Sequence, residues 1–520
     1  MTTAKLSRRD FARTAAAASL TSLLPRGLWA APNNSQKVAV LADSEIATIR
    51  PEFHSHFAEH LGSCVYGGLW VGKNSAIPNI NGYRQDAIGY LKDLGIPVLR
   101  WPGGCFADDY HWRDGIGPAN KRPKRVNLHW GGYVEDNSFG IHEFIGLCKL
   151  IGAEPYVAGN VGSGTPGELR DWVEYCNQPS GSTLAEERAA NGSPEPFQVR
   201  YWGVGNENWG CGGPMTPERY GELYRNFANF IRTFGGTRPF LVACGPNGND
   251  MRWSRGLLGT LDARRLPDGW STHFYETGTL APLQFTADAM NTQFRIFPRV
   301  EETIVAQRAL LDSYDPQRKC GVILDEWGVW DRIPRDDEQR FGRLWQQSTM
   351  RSAVAAGLGL NIFNRQADKL YMANIAQLVN VLQSILLTDG PDGKHCVRTS
   401  TYYAFQLFKP HRSKTAVRVE TGSTDPLALS MSASKSGPEL VITFVNPSAT
   451  ADLDVDCSLR SVIAKSGRAE ILHHTDMNAY NGFDNPNTLV PKPHEVRVEG
   501  TRIRLTAPAL SVITATLQIA

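Results

Sequence analysis

Tyr201-Trp-Gly-Val-Gly-Asn-Glu-Asn-Trp209 opens as a buried strand and ends on polar groups. An aromatic and β-branched run closes on Gly205, and Asn206-Glu207 follow where such a strand breaks toward solvent. A second stretch, Gly321-Val-Ile-Leu-Asp-Glu326-Trp-Gly-Val-Trp330, has the same shape. Each sets one glutamate at the tip of an apolar strand. Two such carboxylates are the equipment that cleavage of a glycosidic bond requires.

Working outward, short apolar runs alternate with helical periodicity from residue 50 to about 390. Eight strand candidates emerge: Phe53–Phe57, Pro97–Trp101, Glu154–Gly159, Tyr201–Gly205, Phe240–Cys244, Gly269–Tyr275, Gly321–Asp325 and Leu358–Phe363. The helices between them carry start and stop signals. Thr165-Pro166-Gly167-Glu168 is a capping box with proline at the first helical position, leading into Leu169, Trp172, Val173 and Cys176 on one face. Thr216-Pro217 starts another, which Gly235-Gly236 stops. Eight alternations predict an α/β fold, a (β/α)8 TIM barrel over 51–390.

Beyond residue 390 the texture changes to short runs with period-two alternation between Gly, Pro, Asn and Ser, from Thr415–Glu420 to Ser511–Leu517. This is the signature of a C-terminal antiparallel β-sandwich over 391–520. Val38–Leu41, within 33–50, reads as a strand added to that sandwich from the N-terminal side.

The 520 residues hold 54 basic and 52 acidic side chains and no long block of one sign. That balance points away from nucleic acid and anionic membranes and toward a neutral partner. Thirteen Trp and sixteen Tyr suit sugar rings, and equally a large core. Ser7-Arg8-Arg9-Asp10-Phe11-Ala12, then the mildly apolar Thr14–Leu24 and Leu28-Trp29-Ala30, resembles a twin-arginine signal peptide over 1–32. It predicts export to the periplasm or beyond. The nine cysteines are scattered without CxxC spacing, so neither a disulfide framework nor a zinc site is readable. Cys148 and Cys176 sit on apolar helix faces and read as core.

Barrel active sites lie at the C-terminal ends of the strands. Glu207 ends strand four and Glu326 ends strand seven on this reading. Asn206 offers an amide to a sugar hydroxyl beside the scissile bond, and Arg100, ending strand two, faces the same way. A guanidinium near Glu326 would keep it ionised and nucleophilic. Glu207, flanked by Trp202 and Trp209, would be driven toward the protonated acid.

These residues lie in motifs that resemble the α-L-arabinofuranosidases of glycoside hydrolase family 51. The motifs are Trp101-Pro-Gly-Gly-Cys105-Phe-Ala-Asp-Asp-Tyr-His-Trp112-Arg-Asp-Gly-Ile-Gly-Pro118, Gly205-Asn-Glu-Asn-Trp209-Gly and Asp325-Glu-Trp327. With them come His56-Phe-Ala-Glu59-His60-Leu-Gly, Ser271-Thr-His273-Phe-Tyr275 and Met372-Ala-Asn-Ile-Ala-Gln377-Leu-Val-Asn380. The resemblance spans about residues 38–520, six separated motifs in order. It implies a retaining double displacement, with Glu207 as acid/base and Glu326 as nucleophile. Glu59, Cys105, Asn206 and Gln377 would hold furanose hydroxyls, Tyr275 would orient the nucleophile, and His273 would support the site. Trp112, Trp209 and Trp330 would shape the mouth. Gln366 and Gln383 are rivals for the place of Gln377. The substrate would be a terminal arabinofuranosyl group of arabinan, arabinoxylan or their oligosaccharides. No cofactor and no metal is implied, and the assembly would be a homo-oligomer of up to six copies. Pro179–Pro196 and Glu276–Arg299 are the loops that would set linkage preference.

Three rival readings remain. His54-Ser-His56 resembles the paired histidines of a metal-dependent amidohydrolase, although that chemistry also wants histidines ending strands five and six, and only His273 is placed for it. A carbohydrate-binding protein that keeps an old pocket is the second, and the two glutamates argue against it. The third keeps fold and mechanism and changes the sugar, to a β-xylosidase or an endo-β-glucanase.

Overall fold

The computed structural model describes residues 35–261, 265–277 and 280–520; the signal-like segment lies outside them. Eight parallel strands close into a barrel: Ser55–Phe57, Val98–Trp101, Glu154–Gly159, Tyr201–Val204, Phe240–Ala243, Gly269–Thr277, Gly321–Trp330 and Leu370–Ala376. They neighbour one another in chain order, with the last pairing the first. Val98, Tyr156, Tyr201, Phe240, Val242, Ile323 and Met372 fill the interior. The alternate residues Leu99, Val157, Trp202, Val322 and Leu324 face the helices. Both sides of each strand are therefore buried, which is why the runs read as apolar throughout.

The eighth strand is not where periodicity placed it. Leu358–Phe363 lies inside the helix Met350–Arg365, and the strand is Leu370–Ala376. Nearly every residue of this helix is buried, because it lies between barrel and sheet. Gly359 sits against the Trp327 indole, Phe363 meets the same ring edge-on at 4.9 Å, and Gly357 abuts Val445. A helix buried all round shows no polar face, so its apolar run mimics a short buried strand.

The second layer is a ten-stranded sheet that runs from Thr415–Glu420 to Ser511–Ile519 and includes Ser35–Thr48. Ser35–Thr48 pairs antiparallel with Thr415–Glu420, as expected for a strand contributed from before the barrel. The sheet encloses its own core, where Val40, Met431, Ile442 and Phe444 meet Val455, Cys457, Ile503 and Ile513. Asn361 of the buried helix fastens sheet to barrel: its Oδ1 accepts from Ser432 Oγ at 2.7 Å and Thr443 Oγ1 at 2.6 Å.

Asn361→Ala leaves two buried hydroxyls without that acceptor, at a cost of about 1–3 kcal/mol. The expected result in urea unfolding is one transition for barrel and sheet together, shifted to lower midpoint. An unshifted midpoint would show that this contact does not hold the layers.

Candidate active site

Strand geometry explains how the two glutamates come to face each other. In the pairing of strands six and seven, Thr272 opposes Leu324 and His273 opposes Glu326, so Asp325 is an extra residue, a β-bulge. Regular alternation would point Ile323 and Asp325 inward and Glu326 outward. The bulge turns Glu326 inward as well. Trp327 and Val329 then face the helices, and Trp330 returns to the pocket. Strand seven continues four residues past Glu326, so this carboxylate stands within a strand rather than at its end.

Glu207 reaches the site differently. Gly205 (φ 86°) and Glu207 (φ 42°) both take the left-handed conformation just after strand four. For a glutamate that is a strained backbone, held only where surrounding contacts impose it.

Arg100 is buried and inward-facing on strand two. It donates to Glu326 Oε1 at 2.7 Å and to Asn206 Oδ1 at 2.5 Å, and its Nε lies 3.4 Å from Asp325. Tyr275 donates to Glu326 Oε2 at 2.7 Å. The His273 Nδ1 sits 2.8 Å from Glu207 Oε1 and 3.6 Å from Glu326 Oε2. That nitrogen and one oxygen of each glutamate lie within 4.8 Å of one another. Burial would push the Glu326 carboxyl up, but His273, Arg100 and Tyr275 outweigh it and hold Glu326 below the usual carboxylate range. Burial pulls His273 down, and the Glu326 charge with the Glu207 hydrogen bond overcomes it, raising the imidazole.

The pocket around them has a cavity volume of about 50 Å³ and is lined by Glu59, Cys105, Trp130, Glu207, Tyr275, Glu326, Trp330 and Gln377 among others. A larger cleft, about 720 Å³, is lined by Trp70, Lys73, Arg122 and Glu143 from loops and helices and receives no barrel strand tip. Glu59 anchors the wall of the smaller pocket. Its Oε1 accepts from Phe106 N at 3.0 Å and Trp130 Nε1 at 2.8 Å, and its Oε2 from Gln377 Nε2 at 3.2 Å. A Cβ on Gly103 or Gly104 would crowd the Glu59 side chain at 3.0–3.1 Å, so glycine is what permits this approach.

Most of the expected residues meet here, and some do not. Trp112 is buried, stacked on Trp172 and bonded to Glu168 O, so it supports the loop and takes no part in the mouth. Trp202 packs on Trp172 outside the barrel and does not flank Glu207. Trp209 reaches the His273 ring edge. Gln366 pairs with Glu301 and Gln383 with Val329 N, which leaves Gln377 in the pocket. His54 and His56 lie against Phe405 on the helix side of strand one, away from the strand tips, and His54 has no hydrogen-bond partner among the described residues.

Two features escaped the reading of the sequence. Trp130 reaches the pocket from an excursion whose Val126, Leu128 and Val134 are exposed, and nothing in its flanks marks it. Cys105 is joined to Cys211 across 106 residues, and the Cys211 sulfur touches Glu207 Oε2 at 3.4 Å. Being oxidised, neither sulfur carries a proton to donate. The spacing is unreadable because barrel closure alone brings the loops after strands two and four together.

Two family profiles match the chain, the "Alpha-L-arabinofuranosidase 1 domain" over residues 90–280 and the "Alpha-L-arabinofuranosidase C-terminal domain" over 325–511. The first contains Glu207 and the second begins beside Glu326. A protein of Bacteroides ovatus named "Intracellular exo-alpha-L-arabinofuranosidase" is 42% identical over 96% of this chain and 98% of its own. The chain belongs to glycoside hydrolase family 51 and is an α-L-arabinofuranosidase. Among solved family 51 structures, the arabinofuranosidase of Xanthomonas axonopodis pv. citri superposes with TM-score 0.89 at 37% identity, covering 93% of this chain and all of that one. An arabinose complex of the Thermotoga maritima α-L-arabinofuranosidase gives 0.82 at 29% identity over the same share of each. The Bacteroides relative corrects one expectation. It is named intracellular, which overturns the prediction of twin-arginine export to the periplasm or beyond.

Burial, with the Glu326 charge beside it, pushes the Glu59 carboxyl from 4.5 up to about 7. Between those values the native state holds a proton that the unfolded chain has lost, so stability falls as pH rises through the window. Glu59→Gln removes this term. The variant's stability relative to the parent is expected to improve from about pH 5 to pH 8 in urea titrations; a pH-independent difference would contradict it.

Proposed function

We propose that this arabinofuranosidase is exo-acting and retaining. It removes terminal non-reducing α-L-arabinofuranosyl groups from arabinan, arabinoxylan or their oligosaccharides. The observation that carries the reading is the approach of Glu207 and Glu326 to within 4.8 Å across His273, in the lining of a pocket of about 50 Å³. Retaining glycosidases set their carboxylates about 5–5.5 Å apart, whereas inverting ones leave about 6.5–9.5 Å for a water. A pocket this small favours one terminal sugar over a bound polymer, and the Bacteroides relative's name includes "exo".

In the first step a Glu326 oxygen attacks the anomeric carbon while Glu207 protonates the departing glycosidic oxygen. The C–O bond to the leaving group breaks as the arabinosyl ester forms. Arg100 and Tyr275 hold the attacking carboxylate ionised and aimed. In the second step Glu207, now the base, takes a proton from water, whose oxygen displaces Glu326 and releases arabinose. Asn206 Nδ2 is buried and has no protein partner among the described residues, an unpaired donor that a bound sugar hydroxyl would satisfy. Glu59 and Gln377 bind hydroxyls from the opposite wall. Cys105, its sulfur committed to Cys211, contributes contact surface rather than a thiol donor.

On nitrophenyl α-L-arabinofuranoside, Glu326→Ala is expected to lose turnover by at least about 10⁴-fold, and parent-like rates would refute its role. Selective activity on the β-D-xyloside or β-D-glucoside instead would keep the mechanism and discard the sugar.

A further inference from the structure

The strained tip that carries Glu207 is fastened by a carboxylate outside the pocket lining. Asp108 stands in the 3-10 turn Cys105–Asp109 after strand two and is 4% exposed. Its Oδ1 accepts from Val161 N at 2.7 Å and Gly162 N at 2.8 Å, just past strand three. Its Oδ2 accepts from Asn206 N at 2.8 Å and Asn208 Nδ2 at 3.3 Å, just past strand four. The Asp108 carbonyl takes Ser163 N at 3.0 Å and Ser163 Oγ at 3.1 Å. One residue thus joins the tips of three consecutive strands.

The Asn206 N–H belongs to the peptide between Gly205 and Asn206, one residue ahead of the peptide that leads into the left-handed Glu207. Holding that peptide fixes where the Glu207 side chain starts. It also fixes the Asn206 amide, which Arg100 grips from the other side. Cys105, on the same turn as Asp108, is bonded to Cys211 beyond Glu207. The acid/base segment is therefore pinned before the glutamate by hydrogen bonds and after it by a covalent link. Gly205 N donates to Gly159 O at 3.1 Å, while Asn208 N to Cys244 Sγ at 3.3 Å and Gly210 N to Glu207 O at 2.6 Å lie at or after Glu207; the Asn206 N–H itself is held by Asp108.

We infer that Asp108 is a positioning residue for proton transfer: by accepting from Asn206 and Asn208 it sets the backbone from which Glu207 reaches the glycosidic oxygen. The inference rests on the reading of Glu207 as acid/base. Four donors converge on two oxygens, and only a carboxylate accepts at all four places. An asparagine there keeps one acceptor oxygen and turns an amide N–H toward two N–H donors.

Asp108→Asn is compared with Glu207→Gln and the parent on 2,4-dinitrophenyl α-L-arabinofuranoside, whose leaving group needs no proton, and on an alkyl arabinofuranoside, which does. For Asp108→Asn, kcat/KM is expected to fall about 100-fold on the alkyl glycoside and by less than about 5-fold on the dinitrophenyl one. Glu207→Gln should show the same split, larger. Equal losses on both substrates in Asp108→Asn, beside a split in Glu207→Gln, would overturn the inference and leave the acid role standing. The absence of a split in Glu207→Gln would overturn both. Should Asp108→Asn not fold, Asn208→Ala removes one donor and leaves three; a smaller split in the same direction supports the inference, and equal losses overturn it.

Discussion

Arg100 commits its nitrogens to Asp325, Glu326 and Asn206 in a place that water barely reaches. A guanidinium so buried is costly to desolvate, and the Asp325 and Glu326 charges beside it outweigh that burial and raise it above the ordinary arginine value. The dependence is mutual. Glu326 stays ionised because Arg100, His273 and Tyr275 outweigh its burial, and removing one partner would leave the other as an uncompensated buried charge, worth about 3–5 kcal/mol. The same cation draws Asn206 toward Glu326, which ties strand two to strands four and seven.

Around that centre the fold makes two departures from regularity, and each aims a glutamate. The bulge at Asp325 lets two successive carboxylates face the barrel interior, one for Arg100, Tyr156 and Asn374, the other for the pocket. The left-handed turn at Gly205 and Glu207 brings the second glutamate to His273. Both devices cost local regularity and gain an approach of two acidic groups that straight strands would not produce. His273 lies between them as a raised imidazole, which lowers the repulsion of placing two carboxylates so close.

Seven barrel strands, the added N-terminal strand and the glutamate pair were legible because each depends on local pattern: apolar runs, caps and polar residues following them. What was not legible depends on three-dimensional context. Leu358–Phe363 looked like a strand since a helix buried between two layers has no polar face to show its period. Trp112 was expected at the mouth from its motif, yet the same motif sends it under the loop onto Trp172. Asp108 lay in plain view inside that motif, but its four donors come from the strand-three and strand-four loops, which no local signal links to it. Cys105 and Cys211 meet for the same reason.

The central claim is that Glu326 becomes covalently bonded to the sugar. It is tested most directly by mixing the enzyme with 2,4-dinitrophenyl 2-deoxy-2-fluoro-α-L-arabinofuranoside and mapping the intact and digested protein by mass spectrometry. The account predicts one fluoroarabinosyl group per chain, on the peptide that carries Glu326 and absent from Glu326→Ala. A label on Glu207 or on another residue, or turnover with inversion at the anomeric carbon and no label at all, would contradict it.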